Sequence, residues 1–175
     1  IMDLKKLANQ YKDELLNNVL PFWLEHSQDH EFGGYFTCLD REGNEFDTDK
    51  FIWLQGREVW LFSMFYNKVE KKQEWLDCAI QGGEFLKKYG HDGNYHWYFS
   101  LDRAGNPLVE PYNIFSYTFA TMAFGQLSLA TGNQEYADIA KKTFDIILSK
   151  ADNPKGKWNK IHPGTRNLKN FALPM

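Results

Sequence analysis

The chain has 175 residues with 43% apolar and 25% charged side chains, which is the composition of a globular protein and excludes a disordered chain. The net charge of −3, without a basic stripe, predicts no nucleic-acid partner and no binding to an anionic membrane surface. No apolar run approaches the ~20 residues that span a bilayer, and the N-terminal residues show no signal peptide. Cys38 and Cys78 form no metal or disulfide pattern, and without a visible export signal we expect a cytoplasmic protein.

Aromatic residues make up 17% of the chain, with 14 Phe, 9 Tyr and 6 Trp. These side chains are large and rigid, and those of Tyr and Trp also carry a polar group. A surplus of them is typical of a recognition surface, for example one that stacks on the C–H faces of a sugar ring. Composition alone leaves open the alternative that they simply fill the core.

The first third of the chain predicts two helices separated by a hairpin. Apolar residues recur at three- and four-residue spacing over residues 4–26, which indicates an amphipathic helix that bends near Pro21. Residues 35–44 predict a short hairpin with turn chemistry at its tip. Residues 51–66 have a helical rhythm and almost no charge, so we expect this helix to be buried.

The same order of elements then repeats. Residues 73–89 predict an amphipathic helix, and residues 94–110 predict a second hairpin. A second nearly uncharged helix is expected over residues 114–130, followed by an amphipathic helix over residues 135–150. The apolar start of another helix closes the chain at residues 168–175.

This order of elements reflects an internal repeat in the sequence, in which position 39 is equivalent to position 101. The segment Leu39–Asn44, LDREGN, matches Leu101–Asn106, LDRAGN, in five of six positions. The same offset pairs Tyr35 with Trp97, Trp53 with Phe115, and Arg57 with Phe119. Each unit is therefore predicted to be a hairpin, an apolar inner helix and an amphipathic outer helix.

Units of this kind predict two concentric layers of helices, which either continue as an open solenoid or close into a toroid. Six units would take about 370 residues, and the present chain covers about 2.8 of them. The last residues, ALPM, stand where a third inner helix should begin. We therefore expect the chain to be the N-terminal half of a longer protein. On its own it should be inactive and should expose an apolar flank at each end.

Four segments of the sequence resemble the N-acylglucosamine 2-epimerase family, which includes renin-binding protein, cellobiose 2-epimerases and mannose-type isomerases. They are GGYFTCLDREG (33–43), WLQGREVW (53–60), IFSYTFATMA (114–123) and ALPM (172–175). The resemblance implies an all-α (α/α)6 barrel, here about three repeats of six with short β-hairpins between inner and outer helices. Residues 1–175 would then be part of one domain without an internal boundary. The N-acylglucosamine branch fits best, because ALPM stands where cellobiose epimerases carry Asn and His.

The resemblance also implies the chemistry, which is removal and return of the proton at C2 of an open-chain sugar through an enediolate. This reaction needs a base and an acid on opposite faces of C2 and a donor at the developing oxyanion. In the family two histidines do the proton work, and those residues are expected beyond residue 175. The resemblance implies no required cofactor, ATP as a possible effector only, and a homodimer as a partner state. The particular sugar stays open.

Arg57 is the residue of this chain that matches the substrate-binding arginine of the family, and we predict a catalytic role for it. Because Arg57 interrupts an apolar helix, either a ligand or a salt bridge with Glu58 or a hairpin aspartate must satisfy its charge. Trp53 lies one turn earlier on the same face and is a candidate stacking residue. The repeat offset and the resemblance add three further candidates for sugar binding, which are Phe115, Phe119 and Met175.

Two other functions compete with a sugar 2-epimerase. The first is a non-catalytic α/α scaffold that binds a glycan or a protein on its inner face. The second is a glycoside hydrolase on the same toroid, which the lack of Asp and Glu pairs on the inner helices disfavours. No metal site is predicted, because His26 and His30 have no further Cys or His close in the sequence. Asp40 and Asp102 occupy matching turns and are expected to stabilise them.

Overall fold

One supersecondary unit occurs twice in the computed structural model, which describes residues 3–111 and 114–150. The first unit comprises β1 (Cys38–Leu39), β2 (Glu45–Asp47), β3 (Lys50–Phe51), α3 (Ile52–Lys68) and α4 (Gln73–Tyr89). The second comprises β4 (Ser100–Leu101), β5 (Pro107–Val109), α5 (Phe115–Thr131) and α6 (Gln134–Ser149). The hairpin strands recur at the offset seen in the sequence and the helices recur close to it, which confirms the repeat.

The helices form two layers. Helix α3 packs along α5, while α4 packs on α3 and α6 packs on α5. Helices α3 and α5 are therefore the inner pair, and α4 and α6 form the outer layer, as the sequence predicted. Their shared core is rich in large side chains, among them Phe62, Trp97, Tyr117, Phe124 and Leu127. None of the helices within residues 3–111 and 114–150 is long and apolar enough to cross a membrane.

The N-terminal helix is interrupted earlier than predicted. It consists of α1 (Leu4–Glu14), a π-helical segment (Leu15–Val19) and α2 (Leu20–His26). Pro21 has no backbone N–H and its ring excludes a regular turn before it, so the irregularity falls on the preceding residues. The amide of Leu20 donates to the carbonyl of Leu15, which is the bond of a π-turn.

A buried aromatic residue fastens each hairpin to the outer helix of its unit. The hydroxyl of Tyr35 donates to the carbonyl of Cys78 in α4 at 2.7 Å. At the equivalent position, the indole N–H of Trp97 donates to Oγ1 of Thr143 in α6 at 3.1 Å. Both rings are fully buried, and both polar groups are satisfied, as buried donors require.

The two hairpins differ in the strands with which they pair. Among the described residues, strands β1 and β2 pair only with each other, whereas β4 pairs with both β5 and β3 in a three-stranded antiparallel sheet. At the tips, Asp40 accepts from the amide of Asn44 at 2.8 Å, and Asp102 accepts from the amide of Asn106 at 2.8 Å. The predicted role of both aspartates in stabilising turns is therefore confirmed.

A buried ion cluster joins the two units. Oδ2 of Asp29 accepts from Nζ of Lys50 at 2.9 Å and from Nε of Arg103 at 3.0 Å, and the side chains of Asp29 and Lys50 are fully buried. Lys50 also donates to the carbonyl oxygens of Gly33 at 2.6 Å and Arg103 at 2.8 Å. Burial alone would raise the pKa of Asp29, but hydrogen bonds from Arg103 and Lys50 outweigh it and hold that pKa below its usual range.

Removal of the Asp29 carboxylate should destabilise the fold strongly. In Asp29→Ala the ammonium of Lys50 would stay buried without a counter-ion, so we expect a loss of about 3–5 kcal/mol in the free energy of unfolding, measured by urea unfolding of the full-length protein. Asp13→Ala, at an exposed position of α1, is the control and should change stability by less than ~0.5 kcal/mol. Equal stability of the two variants would contradict a structural role for the cluster.

Candidate functional site

Three of the predicted site residues meet on the inner helix pair. The guanidinium carbon of Arg57 lies 5.9 Å from the ring centre of Trp53 and 5.5 Å from that of Phe119. The two ring centres are 6.2 Å apart, with the ring planes inclined by 48°. A cation near two aromatic faces is attracted to both, so the rings hold the arginine between α3 and α5.

A close approach of the two inner helices brings these side chains together. Gly56 faces Phe119, and a Cβ atom at Gly56 would lie only 2.9 Å from the carbonyl carbon of Phe119. The absence of a side chain at this position therefore lets the backbones of α3 and α5 come into contact. Arg57 is the residue after Gly56 in α3. Trp53 lies one turn before Arg57 on the same face of the helix, which is the face near Phe119.

Arg57 is exposed, so the expectation of a buried arginine is wrong for this chain. Within residues 3–111 and 114–150, Arg57 forms no ion pair, and the alternative of a salt bridge with Glu58 or a hairpin aspartate is not realised there. Its charge is therefore held by aromatic rings and stays available to a ligand.

The other two predicted residues have different outcomes. Phe115 is the first residue of α5 and is 36% exposed, one turn before Phe119 on the same helix. Met175 lies outside the described residues, so its predicted place at the start of a third inner helix stays a prediction.

A glutamine that the sequence did not single out for function fixes the start of α3. Oε1 of Gln55 accepts from the amide of Tyr35 at 2.8 Å, and Nε2 of Gln55 donates to the carbonyl of Tyr35 at 2.8 Å. Gln55 is fully buried, so both bonds form away from water. Gly34 has a φ of +72°, and a Cβ there would lie 2.7 Å from Oε1 of Gln55. The glycine pair before Tyr35 thus allows the pairing that orients the helix of Arg57.

Glu58 is the second such residue, since the sequence offered it only as an alternative salt-bridge partner of Arg57, although its charge in an apolar helix was a visible signal. Its side chain is buried and contacts Oγ of Ser27, the residue that caps the end of α2. Burial raises the pKa of Glu58 to about 8, and the contact with Ser27 only partly opposes that rise. The carboxyl is therefore mainly neutral at neutral pH.

Arg57 and Glu58 both line a cleft of about 220 Å³ between the N-terminal helices and α3. The walls are mainly apolar, and Thr37 adds a buried hydroxyl without a hydrogen-bond partner in the described structure. The remaining lining residues are Leu15, Val19, Leu20, Trp23, Leu54, Trp60 and Leu61. No group of three His, Cys, Asp or Glu residues within the described ranges is placed to hold a metal ion.

Repeated helical hairpins in two layers, with an arginine between aromatic rings on the inner layer, define a helical-repeat protein with a candidate site for a polar ligand. The sequence matches the N-acylglucosamine 2-epimerase (GlcNAc 2-epimerase) family over residues 34–173, which is most of the chain. The chain belongs to this family, as the resemblance implied.

Comparison with individual proteins gives the same family. The N-acylglucosamine 2-epimerase of Bos taurus is 39% identical over 165 residues, covering 91% of this chain and 39% of that protein. The cellobiose 2-epimerase of Dictyoglomus turgidum is 28% identical over 170 residues, covering 90% of this chain and 42% of that protein. The solved structure of the cellobiose 2-epimerase of Bacillus thermoamylovorans superposes on this chain with a TM-score of 0.78 at 27% identity. The match covers 90% of this chain and 43% of that protein. The chain thus spans less than half of the length of each of these relatives.

Ionisation of Glu58 should make the stability of the protein depend on pH. The pKa of Glu58 is raised on folding, so its contribution to stability is complete below the unfolded value near 4.5 and is lost as pH rises through about 8. In Glu58→Gln, which keeps the shape but cannot ionise, that loss should disappear. Urea unfolding of both forms of the full-length protein between pH 5 and 9 tests this, and a pH-independent difference between them would contradict it.

Proposed function

We propose that the protein containing this chain is a sugar 2-epimerase that interconverts N-acylated hexosamines, and that the chain supplies the first part of a single (α/α)6 barrel domain. The likeness to a solved cellobiose 2-epimerase supports the barrel. Identity is higher to the N-acylglucosamine 2-epimerase of Bos taurus, at 39%, than to the cellobiose 2-epimerase of Dictyoglomus turgidum, at 28%. That difference supports an N-acylated substrate.

The position of Arg57 between Trp53 and Phe119 is the observation that carries the proposal. A planar guanidinium can donate two parallel hydrogen bonds, which suits the C1 oxygen and the amide oxygen of the C2 acylamino group in an open-chain N-acylated hexosamine. The oxygen at C1 becomes negatively charged when the C2 proton is removed, so a fixed cation stabilises the resulting enolate more than the substrate. The aromatic faces on either side suit the apolar C–H surfaces of the same sugar.

The proton transfers at C2 are assigned to residues outside this chain. Within the described residues, the inner helices α3 and α5 carry no histidine, so they provide no imidazole for the acid and base. The C1 carbonyl already makes the C2 proton acidic, and we therefore propose a reaction without a metal or an organic cofactor. Activation by ATP, a homodimer and a cytoplasmic location stay predictions that follow from the resemblance and the sequence.

Solvent exchange at C2 tests the reaction directly. The full-length protein should convert N-acetylmannosamine to N-acetylglucosamine in deuterium oxide with deuterium entering at C2, observed by proton NMR. Exchange at C2 follows from an enolate intermediate, because the abstracted proton equilibrates with solvent before its return. Binding of the sugar without exchange would instead favour the non-catalytic scaffold.

Replacement of Arg57 should reduce catalysis without loss of the fold. Removal of one preorganised donor at a developing oxyanion costs about 10²–10³ in kcat, so we expect a fall of that size in Arg57→Ala and a smaller fall in Arg57→Lys. Arg41→Ala removes an exposed arginine from the first hairpin and is the matched control, with activity near that of the parent. Normal turnover in Arg57→Ala, with unchanged circular dichroism, would remove Arg57 from the mechanism.

A further inference from the structure

We propose that Glu58 acts as a neutral carboxylic acid that positions the turn of α3 bearing Arg57, and that its ionisation withdraws Arg57 from the substrate. The inference rests on the proposed function and adds a residue to it. It makes Glu58 a positioning residue, since Glu58 acts through its neighbours and is not placed on the reacting atoms.

The hydrogen bonding of Ser27 shows why a neutral acid fits this position. Oγ of Ser27 lies 2.5 Å from the carbonyl oxygen of Trp23 and is also in contact with Oε1 of Glu58. A hydroxyl has a single proton, so it cannot donate to two acceptors at once. A proton on Glu58 supplies the missing donor, because the acid then donates to Ser27 and Ser27 donates to Trp23. This chain of bonds ties α3 to the end of α2.

Among the described residues, Glu58 forms no ion pair, and only the contact with Ser27 opposes the rise in its pKa. The ionisable groups that face Glu58 from the other elements are the phenol of Tyr35, before β1, and the thiol of Cys78, in α4. Burial raises the pKa of both groups, so both are neutral at neutral pH. Arg57, the preceding residue of α3, lines the same cleft as Glu58 and is the charged side chain there that an ionised Glu58 would attract.

Ionisation of Glu58 therefore has two consequences for the site. The proton leaves to solvent, and the bond chain from Glu58 through Ser27 to Trp23 loses its donor. The new carboxylate also competes with the substrate oxygens for the guanidinium of Arg57, which the described structure otherwise leaves without an anionic partner. A neutral Glu58 keeps Arg57 oriented toward Trp53 and Phe119, and it leaves the positive charge of Arg57 uncompensated.

The pH dependence of the epimerisation tests this role. For a group with a pKa of about 8, the protonated fraction falls about tenfold between pH 7 and pH 9. The parent protein should therefore lose about tenfold more kcat/KM over that interval than Glu58→Gln, which keeps a neutral polar group at all pH values. Glu42→Gln, at an exposed glutamate in the first hairpin, is the matched control and should keep the parent profile.

Two further results separate this role from simple support of the fold. Glu58→Leu cannot bond to Ser27, so its kcat/KM should be low at every pH, and Glu58→Gln should restore it. Equal alkaline losses in the parent and in Glu58→Gln would overturn the inference. A full-length protein without epimerase activity would contradict the proposed function, and the pH-dependent unfolding of the same two forms would then still decide whether Glu58 is neutral.

Discussion

The contact between α3 and α5 at Gly56 is the constraint on which the candidate site depends. A side chain at this position would meet the backbone of Phe119, so the two inner helices can lie at this distance only because the residue is glycine. Their approach places the guanidinium of Arg57, from one helix, within reach of the ring of Phe119, from the next. A wider separation would leave Arg57 beside Trp53 alone and would divide the site between two surfaces.

Polar contacts then fix the orientation of the helix that carries Arg57. Gln55 forms two hydrogen bonds with the backbone of Tyr35, and the hydroxyl of Tyr35 bonds to α4. The cluster of Asp29, Lys50 and Arg103 joins the loop before β1 to the second hairpin. The bonds of Gln55 and Tyr35 hold the parts of the first unit together, whereas the ion cluster joins the first unit to the second.

The sequence predicted the repeated architecture but not these polar contacts. The repeat offset and the two kinds of helix are visible because they depend on periodicity and turn residues, which are local properties. The partners of Asp29 lie 21 and 74 residues away, and Ser27 lies 31 residues from Glu58, so neither pairing leaves a local pattern. The exposure of Arg57 was missed for a related reason, since an apolar helix predicts burial only when neighbouring elements cover all of its faces.

The two repeats share their backbone plan and differ where the chemistry is expected. At the repeat offset, Arg57 corresponds to Phe119 and Glu58 corresponds to Ala120, so the second unit has apolar residues at both positions. An arginine that serves a reacting oxygen needs an uncompensated charge, and a neighbouring carboxylate would neutralise it. A buried Glu58 that stays neutral because burial raises its pKa avoids that conflict, and the aromatic rings from the two inner helices hold the cation without cancelling its charge.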